Sequence, residues 1–299
     1  MSNYVDVLIC TFQRPHVTKT LESLTRLKLP DGVSLRVVVA DNDDTPSAQK
    51  RIFDLSATLP YPVHYMHAPA RNISIARNAC LDFSDSDWIA FLDDDETVDE
   101  NWLVNLTACA REASVDGVFG PVLADYDTNA PDWIRQRDYH SSFPVRRGQI
   151  VETGHTGNAL LRWRGTPWQD ERFELARGRS GGEDTEFFNR LYRMGAQYEI
   201  STGAIVRETV PKERLSFRWL RRRKVRMGQS YAVTAKSGLA RVKLALSAFV
   251  KASICTVLGF VNFLSQDRRN YWMLRGALHV GVCYGCVSSR QAELYGHSP

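Results

Sequence analysis

The sequence predicts an α/β protein: a mostly parallel sheet flanked by helices, followed by a helical C-terminal region. Three observations carry this reading. Short β-branched apolar runs alternate with longer amphipathic segments through residue 122, the pattern of βαβ units around a parallel sheet. Polar segments (TFQR, DNDD, PARN and DDDE) follow four of those runs, at the strand ends where open α/β sheets bind their ligands. From Leu215 onward the texture becomes helix-prone, first basic and then apolar.

Taken in order, residues 4–10 read as a buried strand, 15–27 as a helix and 35–40 (LRVVVA) as the second strand. A helix over 48–57, a strand over 63–66, a helix over 73–83 and a strand over 88–92 continue the alternation. A helix over 101–113 and a strand over 117–122 complete it. Residues 124–182 are rich in Gly, Pro and Trp, and within them 158–163 (NALLRW) is strand-like; a long irregular stretch of this kind reads as a binding loop. Helical spacing returns over 183–194, with Phe187, Phe188, Leu191 and Tyr192 on one face, and 198–206 is strand-like. The domain division that follows is 1–212 for the sheet and 213–299 for the basic, then apolar, helices.

At 43% hydrophobic and 24% charged, the 299-residue chain has the composition of a globular protein rather than a disordered or fibrous one. Its formal charge of +4 is unevenly spread. Between residues 207 and 251 thirteen Lys and Arg face two acids, Glu208 and Glu213, which points to an anionic partner. The six cysteines are scattered and the start, MSNYVDV, lacks a secretory signal, so a reduced, cytosolic chain is expected. Cys283 and Cys286 have CxxC spacing without a second pair or a nearby His, and packing is favoured over a metal or redox site.

Residues 244–264 carry a single charge, Lys251, and are nearly long enough to cross a bilayer. A central Lys costs about 2.5 to 3.5 kcal/mol on insertion, which favours a helix lying in the interface, or a shallow hairpin with residues 271–287. A buried core helix is the alternative. The run RWLRRRKVRMG (218–228) reads as a solvated face, a nucleic-acid surface or a contact with anionic lipid or a lipid-linked diphosphate. No nucleic-acid recognition motif accompanies it. Each Lys or Arg near an anionic membrane gains about 1 kcal/mol, so lipid contact is the favoured reading.

In WIAFLDDDE (88–96) an apolar strand runs into consecutive acids whose carboxylates repel one another unless something positive lies among them. Asp93 and Asp95, spaced D-x-D, can share a hard divalent cation, Mg²⁺ or Mn²⁺, with waters and substrate phosphates. Acids at a strand end also cap helices or simply face water. In Gly181-Gly182-Glu183-Asp184 the last acid reads either as complement to a helix dipole or as a general base on a flexible turn.

CTFQRP, VVVADNDD, ARNISIARNACLD, WIAFLDDDE, TGN and GGEDTEFFNRL, in that order, resemble family 2 glycosyltransferases of the Rossmann-like GT-A fold. Within that family the ExoM-type glucosyltransferases of bacterial exopolysaccharide assembly are the most similar group. The motifs span residues 4–230, and the tail beyond Leu239 resembles the membrane-associating C-terminus of these enzymes. The resemblance implies inverting transfer of a hexose, glucose, from a UDP-sugar to a glycan acceptor, polyprenyl-diphosphate-linked, at the cytoplasmic face of the inner membrane. It implies that Thr11, Phe12 and Arg14 line the nucleotide pocket, that Asp41 or Asn42 meets the base, and that Arg71, Arg77 and Asn78 approach base and diphosphate. For Arg71 and Arg77 a surface ion pair, and for Asn78 a helix cap, are the alternatives. Asp93 and Asp94 fall on the nucleotide side, Asp93 and Asp95 on the metal, and Asp184 on the catalytic base.

Two departures stand out. Where many of these enzymes supply a late histidine to the metal, this chain has Arg207-Glu208; Glu208 is either an oxygen ligand or the partner of an Arg. Arg218-Trp219 lacks the glutamine of the QxxRW element of processive members. Two other classes remain open: a nucleotidyltransferase, against which the glycine-free CTFQRP argues, and a non-catalytic nucleotide-sugar scaffold, against which Asp184 argues. The histidines read as surface or packing residues rather than ligands, with substrate contact the alternative for His155, which precedes TGN.

Overall fold

Apolar β-branched runs form β1 (Tyr4–Thr11), β2 (Ser34–Asp41), β3 (Val63–His67) and β4 (Trp88–Asp93), and these pair in parallel. The computed structural model describes residues 4–232, 235 and 238–287. Helices α1 (Val17–Leu24), α2 (Gln49–Ser56) and α3 (Ile73–Phe83) make the crossovers. The strands are apolar on consecutive residues because both faces of the sheet are covered. Val7, Val37, Val39 and Leu92 enter one core, while Leu8, Val38, Ile89 and Phe91 enter the other. Asp6 is the buried charge in β1: fully buried, it accepts two 2.7 Å hydrogen bonds from Arg36.

Beyond β4 the chain adds β5 (Glu96–Val98), α4 (Trp102–Glu112), β6 (Gly117–Phe119), β7 (Val122–Asp125), the short helix α5 (Asp132–Arg135) and β8 (Asn158–Arg162). It continues through α6 (Glu183–Arg193), β9 (Tyr198–Ile200) and β10 (Val206–Thr209). The main sheet has seven strands in the order β3-β2-β1-β4-β8-β6-β9, with β8 antiparallel to both its neighbours. A second sheet has the order β5-β10-β7. Its strands correct the sequence reading at two places. The run 117–122 is two strands in different sheets, broken at Pro121, which has no N–H to give a ladder. The run 198–206 is likewise split, with Ser201–Ile205 carrying the chain from one sheet to the other.

Asn158 holds these two exits together. Its amide, 2% exposed, donates to the carbonyls of Pro121 (2.9 Å) and Ala204 (2.8 Å), and its Oδ1 accepts from the Trp102 indole (2.8 Å). One side chain thereby satisfies three buried backbone or ring groups at the corner where the sheets part.

The described residues divide into two compact units, 4–125 with 141–209, and 126–140 with 210–287. Positions 233, 234, 236, 237 and 288–299 of the expected C-terminal region lie outside the described residues. The second unit contains α5, α7 (Phe217–Ala232), α8 (Gly238–Val261) and α9 (Gln266–Val287). Ile134, Leu220 and Leu274 form a small core there, with Trp133, Tyr139, Phe217 and Trp219 packed around it. Trp219 stacks on His140 at 5.3 Å and has Arg214 and Arg223 over its ring, so it lies in packed structure, while its neighbour Arg218 is exposed. In α8 the small residues Ala248, Ala252, Cys255 and Gly259 form the buried stripe. Its larger apolar residues point outward: Phe249 is 65% exposed and Phe260 74%.

Asn158→Ala removes all three hydrogen bonds and strands their buried partners, so it is expected to lower stability by about 3 kcal/mol. Urea unfolding of the purified protein measures this, and a loss near zero would show that the corner is held some other way.

Candidate active site

Parallel register sets Cys10 beside Asp93, so the chain leaving β1 runs alongside the acids leaving β4. Thr11 donates its hydroxyl to Asp94 Oδ2 (2.7 Å) and Arg14 donates to Asp94 Oδ1 (3.0 Å). Arg14 also reaches Asp95 Oδ2 at 2.5 Å. Asp94, 4% exposed, is thus turned inward, and Thr20 holds its carbonyl at 3.0 Å. Glu96 closes the turn into β5 by accepting the Asp93 N–H at 2.8 Å. It lies so close to Gly157 that a Cβ there would stand 2.6 Å from Glu96 Oε1. The positive charge that the acidic triplet demands is supplied in part by Arg14. Asp93 and Asp95 remain open at their side chains, 45% and 20% exposed.

The GGED segment reaches the same place. Gly181 and Gly182 have φ of 88° and 82°, a left-handed pair that glycine enters without penalty, and α6 starts directly after them. Glu183, in the first turn, is 3% exposed and pairs with Arg77 Nη1. Arg77 projects from α3 with its side chain 6% exposed, and its Nη2 lies 3.7 Å from Asp93 Oδ1. Asp184 accepts at Oδ1 from the Thr185 N–H (2.6 Å), and its Oδ2 is 3.1 Å from His155 Nδ1. Six carboxylates (residues 93–96, 183 and 184) and the cations of Arg14 and Arg77 therefore share one cleft, with His155 at its rim.

The site is recessed, yet it opens to solvent at Asp93 and His155. Burial pushes Asp94 up to about 7 despite Arg14 and the Thr11 hydroxyl. Burial raises Asp93 against the pull of Arg77, and it raises Glu96 well above the carboxylate range, with Asp93 and Asp95 adding repulsion. Burial acts the same way on Glu183, opposed by Arg77. Asp184 goes the other way: burial would raise it, but the His155 hydrogen bond, the charges of His155 and Arg77 and the Thr185 N–H outweigh that and hold it down to about 2.

A hard divalent cation fits this donor set on two grounds: the side chains of Asp93 and Asp95 are 45% and 20% exposed at the cleft, and the surrounding acids exceed their counter-charges. Among the described residues no three His, Cys, Asp or Glu side chains are grouped to hold a metal by themselves. An ion here would need water and phosphate oxygens to complete it, as is usual for Mg²⁺ sites of one or two carboxylates.

The other residues singled out by sequence lie as follows. Phe12 is half-buried just beyond β1. Asp41 accepts from the Ala48 N–H (2.8 Å) and the Tyr65 hydroxyl (2.9 Å), and Asn42 bonds the Ala68 carbonyl (2.8 Å) and the Asn72 N–H (2.6 Å). Both brace the loop after β2. Arg71 pairs with Asp44 at 2.6 Å on an open surface. Asn78 clamps the backbone of Phe173 in both directions, at 3.0 and 2.7 Å. Glu208 lies on β10 opposite Glu96, and its charge contributes to raising that residue. Two residues that complete the arrangement, Glu183 and Glu96, have no role assigned from the sequence, although GGED and DDDE contain them; distance in the chain hides that Glu183 meets Arg77.

The family model "Glycosyl transferase family 2" matches residues 6–165 of the chain. The "Succinoglycan biosynthesis protein ExoM" of Rhizobium meliloti (strain 1021) is 41% identical over 296 residues, covering 98% of this chain and 96% of that protein. Among solved structures, the mannosyltransferase PcManGT from Pyrobaculum calidifontis, in complex with GDP-Man and Mn²⁺, matches with a TM-score of 0.64 and 16% identity, over 94% of this chain and 86% of its own. Residues 1–349 of S. aureus TarS match with a TM-score of 0.53 and 14% identity, over 94% and 90% of the two chains. The likeness to these two is one of fold, and it is the GT-A arrangement of a mostly parallel sheet flanked by helices.

Arg77→Gln leaves Glu183 as a buried acid without its cation, and breaking such a pair costs about 3 to 5 kcal/mol. With Arg77 gone, the folded-state pKa of Glu183 climbs further above its ordinary 4.5, so the variant loses stability as pH rises past that value. Urea unfolding at pH 5 and pH 8 is expected to show the larger deficit at pH 8. Equal deficits would mean that Arg77 does not hold Glu183 ionised.

Proposed function

The chain belongs to glycosyl transferase family 2, and from that premise we propose that it catalyses inverting transfer of a hexose, glucose, from a UDP-sugar to an acceptor hydroxyl. The acceptor in this reading is a lipid-linked oligosaccharide of exopolysaccharide assembly, a role supported by the name of the Rhizobium meliloti relative. The observation that carries the reading is the bridge made by Arg77, which pairs with Glu183 and approaches Asp93, so that Asp184 and the D-x-D acids border one cleft.

In the proposed reaction the acceptor oxygen bonds to the anomeric carbon while the bond from that carbon to the diphosphate oxygen breaks, its electron pair leaving with UDP. The acceptor proton passes to the Asp184 carboxylate, which is ionised at physiological pH because its pKa is held to about 2. One displacement inverts the anomeric centre. Asp93 and Asp95 would hold a divalent cation, Mg²⁺ or Mn²⁺, which when bound offsets charge on the departing diphosphate. Arg14 and Arg77 orient these acids, and Thr11 fixes the central one. On this reading Phe12, Asp41, Asn42, Arg71 and Asn78 shape the nucleotide side, the last through the loop at Phe173. Glu208 stands as either a further oxygen ligand or a charge partner at the sheet edge.

The second unit supports a place at the membrane surface. Among the described residues α8 is the one helix long and apolar enough to cross a bilayer, and its large apolar side chains face outward with Lys251 exposed among them. A core helix would bury those side chains; a helix lying in the interface exposes them on one side. The basic α7 before it suits anionic lipid. We read the protein as peripheral or monotopic, at the cytoplasmic face of a bacterial inner membrane.

Turnover assayed over a panel of nucleotide sugars is expected to single out one UDP-hexose and to stop with chelator. Asp184→Asn should lower turnover by roughly a thousand-fold or more while UDP binding persists; turnover unchanged in the variant would end the mechanism. In vesicle flotation, the protein is expected to rise with anionic vesicles at low salt and less at high salt. Equal flotation with neutral vesicles at both salts would remove the role of α7.

A further inference from the structure

Residues 217–287, which hold α7, α8 and α9, contain one acid, Asp267, and it is committed to Arg137 at 2.6 Å. Within this cationic region α8 and α9 run antiparallel through small residues. The Cys283 thiol lies 3.5 Å from the Ala245 carbonyl, and a Cβ on Gly276 would stand 3.3 Å from that of Cys255 and 3.8 Å from the Ala252 carbonyl oxygen. This register brings Lys251, next to Ala252, to the level of Arg275, next to Gly276, and His279 follows Arg275 by one helical turn. Lys251 and Arg275 are exposed, and Arg275 donates to the Tyr271 hydroxyl at 2.8 Å, a neutral partner that does not offset its charge. His279 is half-buried, and burial together with the charges of Lys251 and Arg275 holds its imidazole below its ordinary value. Exposed apolar side chains surround the three: Val250 and Ile254 beside Lys251, and Val280 beside His279.

Like charges gathered on an apolar surface repel one another, and each is costly to lay against hydrocarbon. An anion among them removes both penalties. A zwitterionic lipid head would bring an ammonium group, and the one acid of these helices is already paired. A phosphodiester brings a single negative charge against the two of Lys251 and Arg275. A diphosphate brings two or more, on adjacent phosphates that suit donors converging on one place, and a hydrocarbon chain attached to it would cover the neighbouring apolar side chains. We infer that Lys251, Arg275 and His279 bind the diphosphate head of a lipid whose chain lies along the exposed apolar residues of α8. The inference rests on the proposed function in laying α8 at the membrane surface and in taking the acceptor to be lipid-linked. It adds the place where the head of that lipid is held.

The test uses the full-length protein with chelator present, so that no metal holds diphosphate at Asp93 and Asp95. Flotation is measured with phosphatidylcholine vesicles doped with geranylgeranyl diphosphate, and with vesicles doped with phosphatidylglycerol to the same surface charge. The wild type is expected to bind the diphosphate vesicles about ten-fold more tightly, the size of one charge-assisted hydrogen bond, and Lys251→Gln and Arg275→Gln should each abolish that preference. Lys251→Arg, which keeps the charge, should retain it and so exclude misfolding as the cause. In solution the imidazole signal of His279, identified by its loss in His279→Gln, is followed by NMR as geranyl diphosphate is added. Its titration is expected to move to higher pH, because a bound anion favours the charged ring. Equal binding to both kinds of vesicle, or a preference that both Gln variants keep, overturns the inference and leaves α8 at the membrane. Inorganic pyrophosphate that moves His279 as readily as geranyl diphosphate overturns it in favour of a free anion, and a His279 signal that nothing moves overturns it outright. Movement of His279 by geranyl diphosphate without binding to any vesicle supports the cluster and sinks the membrane placement.

Discussion

Arg77 carries a permanent charge into a place where its side chain is 6% exposed, and Glu183 on one side and Asp93 on the other compensate it. Guanidinium does not shed its proton, so the usual escape from burial, neutralisation by a shifted pKa, is closed to it. The two acids must come to it instead. One belongs to the first turn of α6 and the other to the end of β4, ninety residues apart (183 − 93), so the requirement to neutralise Arg77 fixes where the GGED turn stands relative to the acidic triplet. Asp184 is positioned by the same turn. The left-handed conformations of Gly181 and Gly182 allow the chain to enter α6 at the angle this demands.

The acids around this cation differ in what they are free to do. Asp94 and Glu96 are spent on Thr11, Arg14 and the Asp93 N–H, and they shape the turn. Asp93 and Asp95 keep part of their side chains exposed, 45% and 20%, although Arg14 also pairs with Asp95. Asp94 and Asp95 form the turn between β4 and β5, and there Thr11 and Arg14 hold Asp94 inward.

Much of the first half was legible because the physics there is local. Runs such as LRVVVA and the interval 73–83 carry their own periodicity, and α3 occupies that interval without change. The split runs at 117–122 and 198–206 were not, because what breaks them is a change of sheet, and nothing within six to nine residues announces a partner strand elsewhere. In the site, the acidic triplet and GGED were readable as motifs. The engagement of Asn42 and Asn78 with backbone groups was not: an asparagine's partners depend on which loops fold back upon it. Asn158 illustrates the same point, since TGN enters the sequence reading only as part of a family resemblance while the Asn158 amide serves the corner between sheets.

That corner has a bearing on how the chain is made. Asn158 gathers groups from positions 102, 121 and 204, and a nascent polypeptide shorter than the last of these lacks one acceptor however completely its first strands have paired. β1 to β4 form one contiguous block of the sheet, and the pairings among them are all available by residue 93, whereas β4 and β6 find β8 only at residues 158–162 and β6 finds β9 about eighty residues after itself. During that interval the half-built sheet exposes the far edge of β4, the flank later sealed by β8. Synthesis therefore passes through a stage in which that edge still lacks the strand that pairs with it in the finished sheet.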